Sequence, residues 1–418
     1  MPGRRKYRLI TSSVTTSTSA TLAAGQEALS IWGNWQNLGN NSSANTGTII
    51  TGGTSGDGFD QQTSNASLYT YNSGTRLFTG FTSANGKNTK YTPLKAGVAY
   101  YMFVYGDRIN TIFTSSPNYS TLRSSGTLLT GDQSYTTSST IPLNAGNGIY
   151  TLLGNPFASP IDWSTLPRTN LSNTYWGWDP NLSSTGGYVT VSTTGTVTLI
   201  SPFSGTTGLN QYIQSGQGFF VKATAAAPAL TIREQDKVSN YNANAFRTTN
   251  NIALIAVNLL YDNAGTKILA DGALAAFDGN FQNSVTNEDA SKIMNAAENV
   301  AIAEGNNLLS IDTRQMPKQN DTLFLNISKL TKPQYTLEIF AQQVDASVTP
   351  YLEDKYLKTF TPLSLTDTNH IAFNITTDAT SFDGNRFRIV FDKPSTGILT
   401  TPTEIGRASC RERVCYPV

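Results

Sequence analysis

Short apolar or alternating segments recur along the first 240 residues, separated by clusters of Gly, Asn and Ser. Segments of this length, bounded by turn residues, are typical of strands in a β-sandwich. The nearly continuous apolar run from Tyr100 to Tyr105 predicts a central strand covered on both faces. The predicted strands are SLYTYN (67–72), GVAYYMFVYGD (97–107), TLRSSGTLLTG (121–131), GIYTLLGNP (148–156), TYWGWDP (174–180), GYVTVST (187–193), TVTLI (196–200), GQGFFVKA (216–223) and ALTIRE (229–234).

The remainder of the chain carries the same kind of pattern with longer strands. One segment, EDASKIMNAAENVAIAE (288–304), instead predicts a short helix, with Thr286 or Asn287 as the cap and acidic residues in its first turn. No repeat of 20 to 50 residues occurs. The predicted strands are NIALIAVNLLY (251–261), KILADGALAAF (267–277), NLLSIDT (307–313), DTLFLNIS (321–328), YTLEIFA (335–341), HIAFNIT (370–376) and RFRIVF (386–391).

Composition divides the chain in two. Ser and Thr make up 70 of the first 250 residues but only 27 of the remaining 168. We therefore predict an all-β fold of two tandem β-sandwich domains, of the jelly-roll or immunoglobulin-like kind. The first is a Ser/Thr/Gly-rich domain over residues 1–240, and the second covers 250–395 with one short helix near 288–304. The polar stretch 235–250 is the predicted boundary.

Charge restricts the partners. The formal net charge is +1 and the pI is about 7.6, so no overall field favours nucleic acid. No apolar run reaches 18 residues, so no membrane insertion is predicted. Residues 1–250 carry 15 basic and 9 acidic side chains (net +6), and 251–403 carry 11 and 17 (net −6). This asymmetry could favour docking of the two parts, or could reflect two unrelated solvated faces, because screened surface charges contribute little.

The two ends do not follow the β pattern. MPGRRKYR at the start is not followed by the apolar core of a signal peptide, and KYRLIT already has the pattern of a strand, which suggests a start inside a longer protein. Residues 404–418, EIGRASCRERVCYPV, resemble a translated adaptor or vector sequence. Both cysteines, Cys410 and Cys415, lie in this tail, so the rest of the chain has none. This is compatible with export from a bacterium.

The sequence lacks most of the residue combinations that catalytic and metal sites need. His370 is the single histidine, and it begins a predicted strand on one face with Ala372 and Asn374. Without a second histidine or a G-x-S-x-G motif, neither a Ser/His triad nor a His-rich zinc site can be assembled. No phosphate-binding glycine motif opens a helix. We therefore predict no enzyme activity, no metal site and no cofactor.

The most specific candidate site combines aromatic and acidic residues. All five tryptophans lie in the first domain; Asp162 is adjacent to Trp163, and Asp179 to Trp178. Indole faces beside carboxylates suit sugar rings, and Trp176 and Trp178 should project to the same side of a strand. Two alternatives remain open: the indoles fill the core while Asp162 and Asp179 cap turns, or one aspartate serves a glycoside hydrolase, which needs two acids at a defined separation. The candidate ligand-binding residues are Asp162, Trp163, Trp176, Trp178 and Asp179.

Three loop segments have other interpretations. In GNPFASPIDW (154–163), two prolines restrict the residues before them and remove two hydrogen-bond donors, which predicts a strand end and a fixed turn rather than a ligand loop. The oxygen-rich segments FDGNFQN, with Asp278, Asn280 and Asn283, and SGDGFDQ, with Asp57 and Asp60, favour solvated turns over calcium loops.

Several segments together resemble one family, the large secreted or surface proteins of Bacteroidota that are exported by type IX secretion. The GNP-x-x-SPIDW motif and the order of the segments are the most specific features. In that family the resembling region lies late in a longer chain, shortly before a C-terminal sorting domain. The segments are KYRLITSSV (6–14), YNSGTRLFTGF (71–81), GVAYYMFVYGDR (97–108), LLGNPFASPIDW (152–163), SGQGFFVKAT (215–224), AAFDGNF (275–281), VTPYLEDKYLKTFTPL (348–363) and RFRIVFDK (386–393).

The resemblance implies an extracellular or cell-surface location and a setting among neighbouring domains, and it supplies no catalytic residues. We therefore expect a non-catalytic structural or adhesive module of a large exported surface protein, with neighbouring domains and possible glycans as partners. The alternative is a carbohydrate-binding module attached to a polysaccharide-degrading enzyme. Exposure of the indoles separates the two: exposed, coplanar Trp176 and Trp178 favour sugar binding, whereas buried indoles favour a scaffold.

Overall fold

A computed structural model describes residues 5–38, 46–109, 112–113, 117–194, 197–203, 208–238 and 252–392. The predicted all-β class is confirmed, since the described residues contain 27 strands and no helix longer than four residues. The predicted tail, 404–418, and most of the predicted boundary, 235–250, lie outside the described residues. The short 3₁₀ helices are Glu27–Leu29, Ser83–Asn85, Trp163–Thr165, Glu234–Asp236 and Ala379–Phe382.

Residues 5–238, the first region, form several small sheets. The main ones are a four-stranded sheet in the order β1-β5-β3-β4, a five-stranded sheet β13-β12-β11-β15-β8 and a three-stranded sheet β10-β16-β7. The strands are β1 (Lys6–Thr11), β2 (Val14–Thr15), β3 (Leu68–Asn72), β4 (Leu77–Gly80), β5 (Ala99–Val104), β6 (Thr127–Leu128), β7 (Gln133–Tyr135), β8 (Tyr150–Gly154), β9 (Ile161–Asp162), β10 (Arg168–Thr169), β11 (Leu171–Asp179), β12 (Gly187–Thr194), β13 (Val197–Ser201), β14 (Tyr212–Ile213), β15 (Gly218–Ala223) and β16 (Ala229–Ile232).

Residues 252–392, the second region, form one large sheet. Its order is β25-β24-β27-β22-β20-β21-β18-β17-β23-β26, with β19 also pairing with β21. All pairs are antiparallel except β18 with β21. The strands are β17 (Ala253–Asn263), β18 (Thr266–Phe277), β19 (Ala290–Ser291), β20 (Asn299–Glu304), β21 (Asn307–Arg314), β22 (Thr322–Ser328), β23 (Gln334–Gln342), β24 (Pro350–Asp354), β25 (Thr359–Pro362), β26 (Asn369–Asn374) and β27 (Phe387–Phe391).

The large sheet curls around its own core. Side chains from strands far apart in the sheet order, such as Leu352 on β24 and Phe373 on β26, belong to the same buried cluster as Val257 on β17. Because successive side chains of a strand point to opposite faces, β17 also presents Leu254 and Ala256 on the outside of this curl. These outward residues are buried as well, so something must cover them.

The cover is the five-stranded sheet of the first region. On β11, Tyr175 packs into a core shared with the three-stranded sheet, whereas the next residue, Trp176, packs against the outer face of the curl. Phe219 and Phe220 on β15 alternate in the same way. The five-stranded sheet is therefore buried on both faces, between the three-stranded sheet on one side and β17 and β18 on the other.

The helix predicted near residues 288–304 is wrong. This segment consists of the two-residue strand β19, a turn and the strand β20. The Asn299 side chain accepts a hydrogen bond from the backbone N–H of Asn295, and Glu298 has a φ of +32°, both of which divert the backbone from a helix. Val300 and Ile302 then alternate inward as strand residues of the core of the curl.

Candidate functional site

Trp163 packs in the core of the first region, and Asp162 caps the short helix next to it. The Trp163 indole is completely buried, and its Nε1–H donates to the carbonyl oxygen of Asn173 at 2.8 Å. Its ring meets that of Tyr175 edge-on at 5.6 Å. Asp162 caps the short helix Trp163–Thr165 by accepting a hydrogen bond from the Ser164 N–H at 2.9 Å. No face of the indole is free to stack on a sugar.

Trp176 and Trp178 share one face of β11, as the sequence predicts, and that face is opposite to the face of Tyr175. Trp176 is completely buried and donates from Nε1 to the carbonyl oxygen of Ser291 at 3.0 Å, which joins the first region to the second. Trp178 is partly buried, and its ring meets Tyr101 and Tyr188 edge-on at 5.2 and 4.9 Å. The two indoles are therefore packing elements rather than an exposed platform.

Asp179 follows Trp178 at the end of β11 and is only 4% exposed. Its Oδ1 accepts a hydrogen bond from the Asn181 N–H at 2.8 Å, as a turn-capping aspartate does. Burial raises the pKa of its carboxyl above the usual value. The five predicted site residues thus divide between two places. Asp162 ends β9 and Trp163 begins the short helix after it, whereas Trp176, Trp178 and Asp179 lie on β11 of the five-stranded sheet. Trp163 is in one core and Trp176 in another.

The remaining sequence candidates also have structural roles. His370 on β26 is exposed, and its Nδ1 lies 3.8 Å from Glu338. Asp60 forms a two-pronged ion pair with Arg108 at 2.6 and 2.9 Å. Among the residues that the structure describes, no group of three or more His, Cys, Asp or Glu side chains could hold a metal ion.

The GNP-x-x-SPIDW segment forms the predicted strand end and fixed turn. Strand β8 ends at Gly154, and the next residue, Asn155, is completely buried. Its Nδ2 donates to the carbonyl oxygens of Ser159, Ile213 and Gln214, and its Oδ1 accepts from the Phe157 N–H. One amide side chain therefore fixes both the turn and a neighbouring strand.

The two regions meet in a continuous apolar core, which we call the junction. Side chains from both regions enter one buried cluster, and Phe203 stacks on Phe340 across it at 5.5 Å. No ion pair between described residues connects the two regions, so apolar contact rather than ion pairing joins them. The buried members are Leu9, Trp176, Tyr188, Leu199 and Phe220 from the first region, and Ile252, Leu254, Ala256, Leu274, Ala276, Phe281, Ala290 and Ile311 from the second.

Polar contacts at the junction converge on residues 288–299, which we call the docking segment. The Ser291 carbonyl oxygen accepts from Trp176 Nε1, and its Oγ accepts from Lys222 Nζ at 2.6 Å. Asn295 Oδ1 accepts from the Tyr188 N–H at 2.8 Å, and Glu298 Oε2 accepts from Ser183 Oγ at 2.9 Å. Burial lowers the pKa of Lys222. Each contact satisfies a polar group that the apolar junction would otherwise leave unpaired.

The sequence offered little to identify these contacts. Ser291, Asn295 and Glu298 fall inside the segment that resembled an amphipathic helix, where they would belong to its polar face. Gly305, which directly follows the predicted helix, is a residue that commonly ends helices, so it supported the wrong prediction.

Comparison with known families supplies a domain but no activity. A family profile described as Domain of unknown function (DUF8693) matches residues 50–391, from the first region to the end of β27. No curated protein and no solved structure gives a significant match.

Proposed function

The chain belongs to the family described as Domain of unknown function (DUF8693), and we propose for it a non-catalytic structural or adhesive role in a large exported cell-surface protein. The resemblance to Bacteroidota proteins of the type IX secretion pathway supports the proposal that this module lies among neighbouring domains outside the cell. The observation that carries the proposal is the junction, in which two β regions share one buried apolar core.

A module between other domains transmits force and orientation only when its own parts do not move independently. Flexible linkers between small interfaces allow domain motion, whereas large apolar interfaces restrict it. Among the described residues, seven hydrogen bonds cross the junction in addition to its apolar cluster, and four of them end on Ser291, Asn295 and Glu298 of the docking segment. The two regions should therefore behave as one rigid unit.

The candidate sugar-binding residues support the scaffold over the alternative carbohydrate-binding module. Trp163 and Trp176 are completely buried, and Asp179 is nearly so. Sugar stacking needs an exposed aromatic face, and withdrawing either indole from its core would cost about 3–5 kcal/mol of stability. The same burial leaves Asp179 poorly placed to act as a hydrolytic acid on a polysaccharide.

The proposal is tested by pulling the full chain from its two ends in a force spectrometer. Wild type should unfold in one event whose contour length covers both regions. Gly272 packs against Pro202 of the first region so closely that an added Cβ would lie 2.6 Å from the proline ring, so Gly272→Ala should separate the regions and split the event in two. Gly279, around which no atom lies within 4 Å of such a Cβ, gives the control variant Gly279→Ala.

Two independent events in wild type would show that the regions are separate units, and the rigid-module proposal would then fail. A Gly272→Ala variant that still unfolds in one event at the wild-type force would mean that the junction does not carry the load. Polysaccharide turnover that is lost in Asp162→Asn or Asp179→Asn would replace the structural role with a hydrolytic one.

A further inference from the structure

A cleft of about 610 Å³ opens in the first region, between the loops around β2 and the loops around β7. Thr15, Thr18 and Lys95 form one side, and Gln133, Ser134 and Ser138 contribute to the other. Leu129, Ala96 and Ile141 supply apolar surface between them. This volume lies within the range of small-molecule sites, which combine apolar walls with a few directed polar groups.

Tyr135 presents its hydroxyl to this cleft. Its ring belongs to the core of the first region and the residue is only 5% exposed, yet its hydroxyl has no hydrogen-bond partner among the described residues. Burial raises the pKa of Tyr135, so the hydroxyl remains a donor at neutral pH. The hydroxyl oxygen is not among the buried polar atoms that lack a partner, so it is accessible from the cleft and can pair with a ligand there.

Gln133 and Lys95 also present polar groups that a ligand could bind. Gln133 donates its amide hydrogens to the carbonyl oxygens of Thr130 and Gly131, which leaves its Oε1 as an acceptor. Lys95 is the one charged side chain that lines the cleft, and within the described part of the chain it forms no ion pair. The cleft thus offers donors, an acceptor and one positive charge.

We propose that this cleft binds an oligosaccharide that carries a carboxylate, which goes beyond the structural role proposed above. Lys95 would meet the carboxylate, while Tyr135 and Gln133 would donate to and accept from ring hydroxyls. The apolar surface of Leu129 and Ile141 would contact the C–H faces of the sugar. Hydroxyl-rich walls with a single cation match an acidic sugar better than a nucleotide, whose several phosphate charges call for more cations or a backbone amide cradle.

The test is isothermal titration of the full chain with trimers of galacturonic acid and of mannuronic acid, each paired with its neutral trimer of galactose or mannose. At least one acidic trimer should bind more tightly than its neutral counterpart. Lys95→Gln should weaken the acidic trimer about tenfold and leave the neutral one unchanged. Tyr135→Phe, which removes only the hydroxyl, should weaken both about 3- to 10-fold.

Lys355→Gln is the matched control, because Lys355 is exposed and lies in the turn that follows β24 in the second region. The affinity of the Lys355→Gln variant for the trimers should equal that of wild type. A loss as large as that in Lys95→Gln would mean that the trimers bind by non-specific charge attraction, and the proposed site would be refuted. Failure of both acidic trimers to bind at about 10 mM, or unchanged binding in Lys95→Gln, would also overturn it. The pulling experiment would be unaffected by either result, so the two proposals fail separately.

Discussion

Trp163 and Trp176 form a natural pair for testing whether the junction couples the two regions. Both indoles are completely buried, and both donate from Nε1 to a backbone carbonyl, at 2.8 and 3.0 Å. They differ in where that carbonyl lies: Asn173 is in the first region, and Ser291 is in the second. Replacing either tryptophan by phenylalanine therefore makes the same chemical change, once inside a region and once across the junction.

The cost of each replacement follows from the structure. Losing the N–H removes a donor from a backbone carbonyl, which costs about 1–3 kcal/mol. The carbonyl of Asn173 still accepts from Thr193 Oγ1 at 3.2 Å, so the loss in Trp163→Phe lies toward the lower end. The smaller ring leaves unfilled space and less buried apolar area, which costs about 1–2 kcal/mol more. Each variant should thus lose about 2–5 kcal/mol in urea unfolding, with Trp163→Phe toward the lower end.

Hydrogen exchange measured by mass spectrometry separates the two variants. In Trp176→Phe, peptides from the docking segment and from β18 should exchange faster, because the junction opens without global unfolding. In Trp163→Phe the faster exchange should be confined to the first region, around β9 and β11. If Trp163→Phe accelerated the docking segment as much as Trp176→Phe does, or if neither variant changed it, the junction would not couple the regions and the reasoning would be refuted.

Three further predictions concern buried polar groups. Burial raises the pKa of Asp312 to about 6 from the usual 3.8, so the native state holds a proton that the unfolded chain has released, and the free energy of unfolding falls as pH rises through this window. At about 1.36 kcal/mol per pH unit, this loss of stability amounts to about 3 kcal/mol, and Asp312→Asn should abolish it. Urea unfolding midpoints of wild type and Asp312→Asn, measured from about pH 4 to pH 7, test this expectation. Parallel plots of midpoint against pH for the two proteins would contradict it. Lys292 forms a buried ion pair with Asp271 at 2.5 Å, so Lys292→Met should cost about 3–5 kcal/mol in urea unfolding by leaving a buried carboxylate unpaired, and the double variant Asp271→Asn/Lys292→Met should recover part of that loss. Asn155→Ala should cost about 2–4 kcal/mol because three carbonyls and one N–H each lose a hydrogen bond. Asn155→Asp sets a carboxylate against those carbonyls, so it should be at least as destabilising at pH 7 and improve at low pH. Equal stability of wild type and Asn155→Ala in denaturant would exclude this role.

The sequence predicted the fold class and most strands because strand signals are local. Alternation over five to ten residues, β-branched and aromatic side chains and flanking turn residues together identify β11, β15, β17 and β18 within a few residues of their observed bounds. The Asn155 turn was predicted for the same reason, since two prolines fix its backbone from within the segment. The docking segment was missed because its conformation depends on partners such as Tyr188 and Ser183, which lie more than a hundred residues away.

The role of the tryptophans could not be read from sequence for a related reason. A strand such as β11 places Trp176 and Trp178 on one face and Tyr175 on the other, and the sequence specifies this alternation but not what lies opposite each face. An aromatic residue beside a carboxylate serves equally in a sugar platform and in a core with a capped turn. The deciding fact is that the second region covers the outer face of β11, so Trp176 donates to Ser291 rather than facing solvent. The same covering that removes a sugar platform from β11 creates the rigid unit, which is why the burial of Trp176 weighs against one function and supports the other.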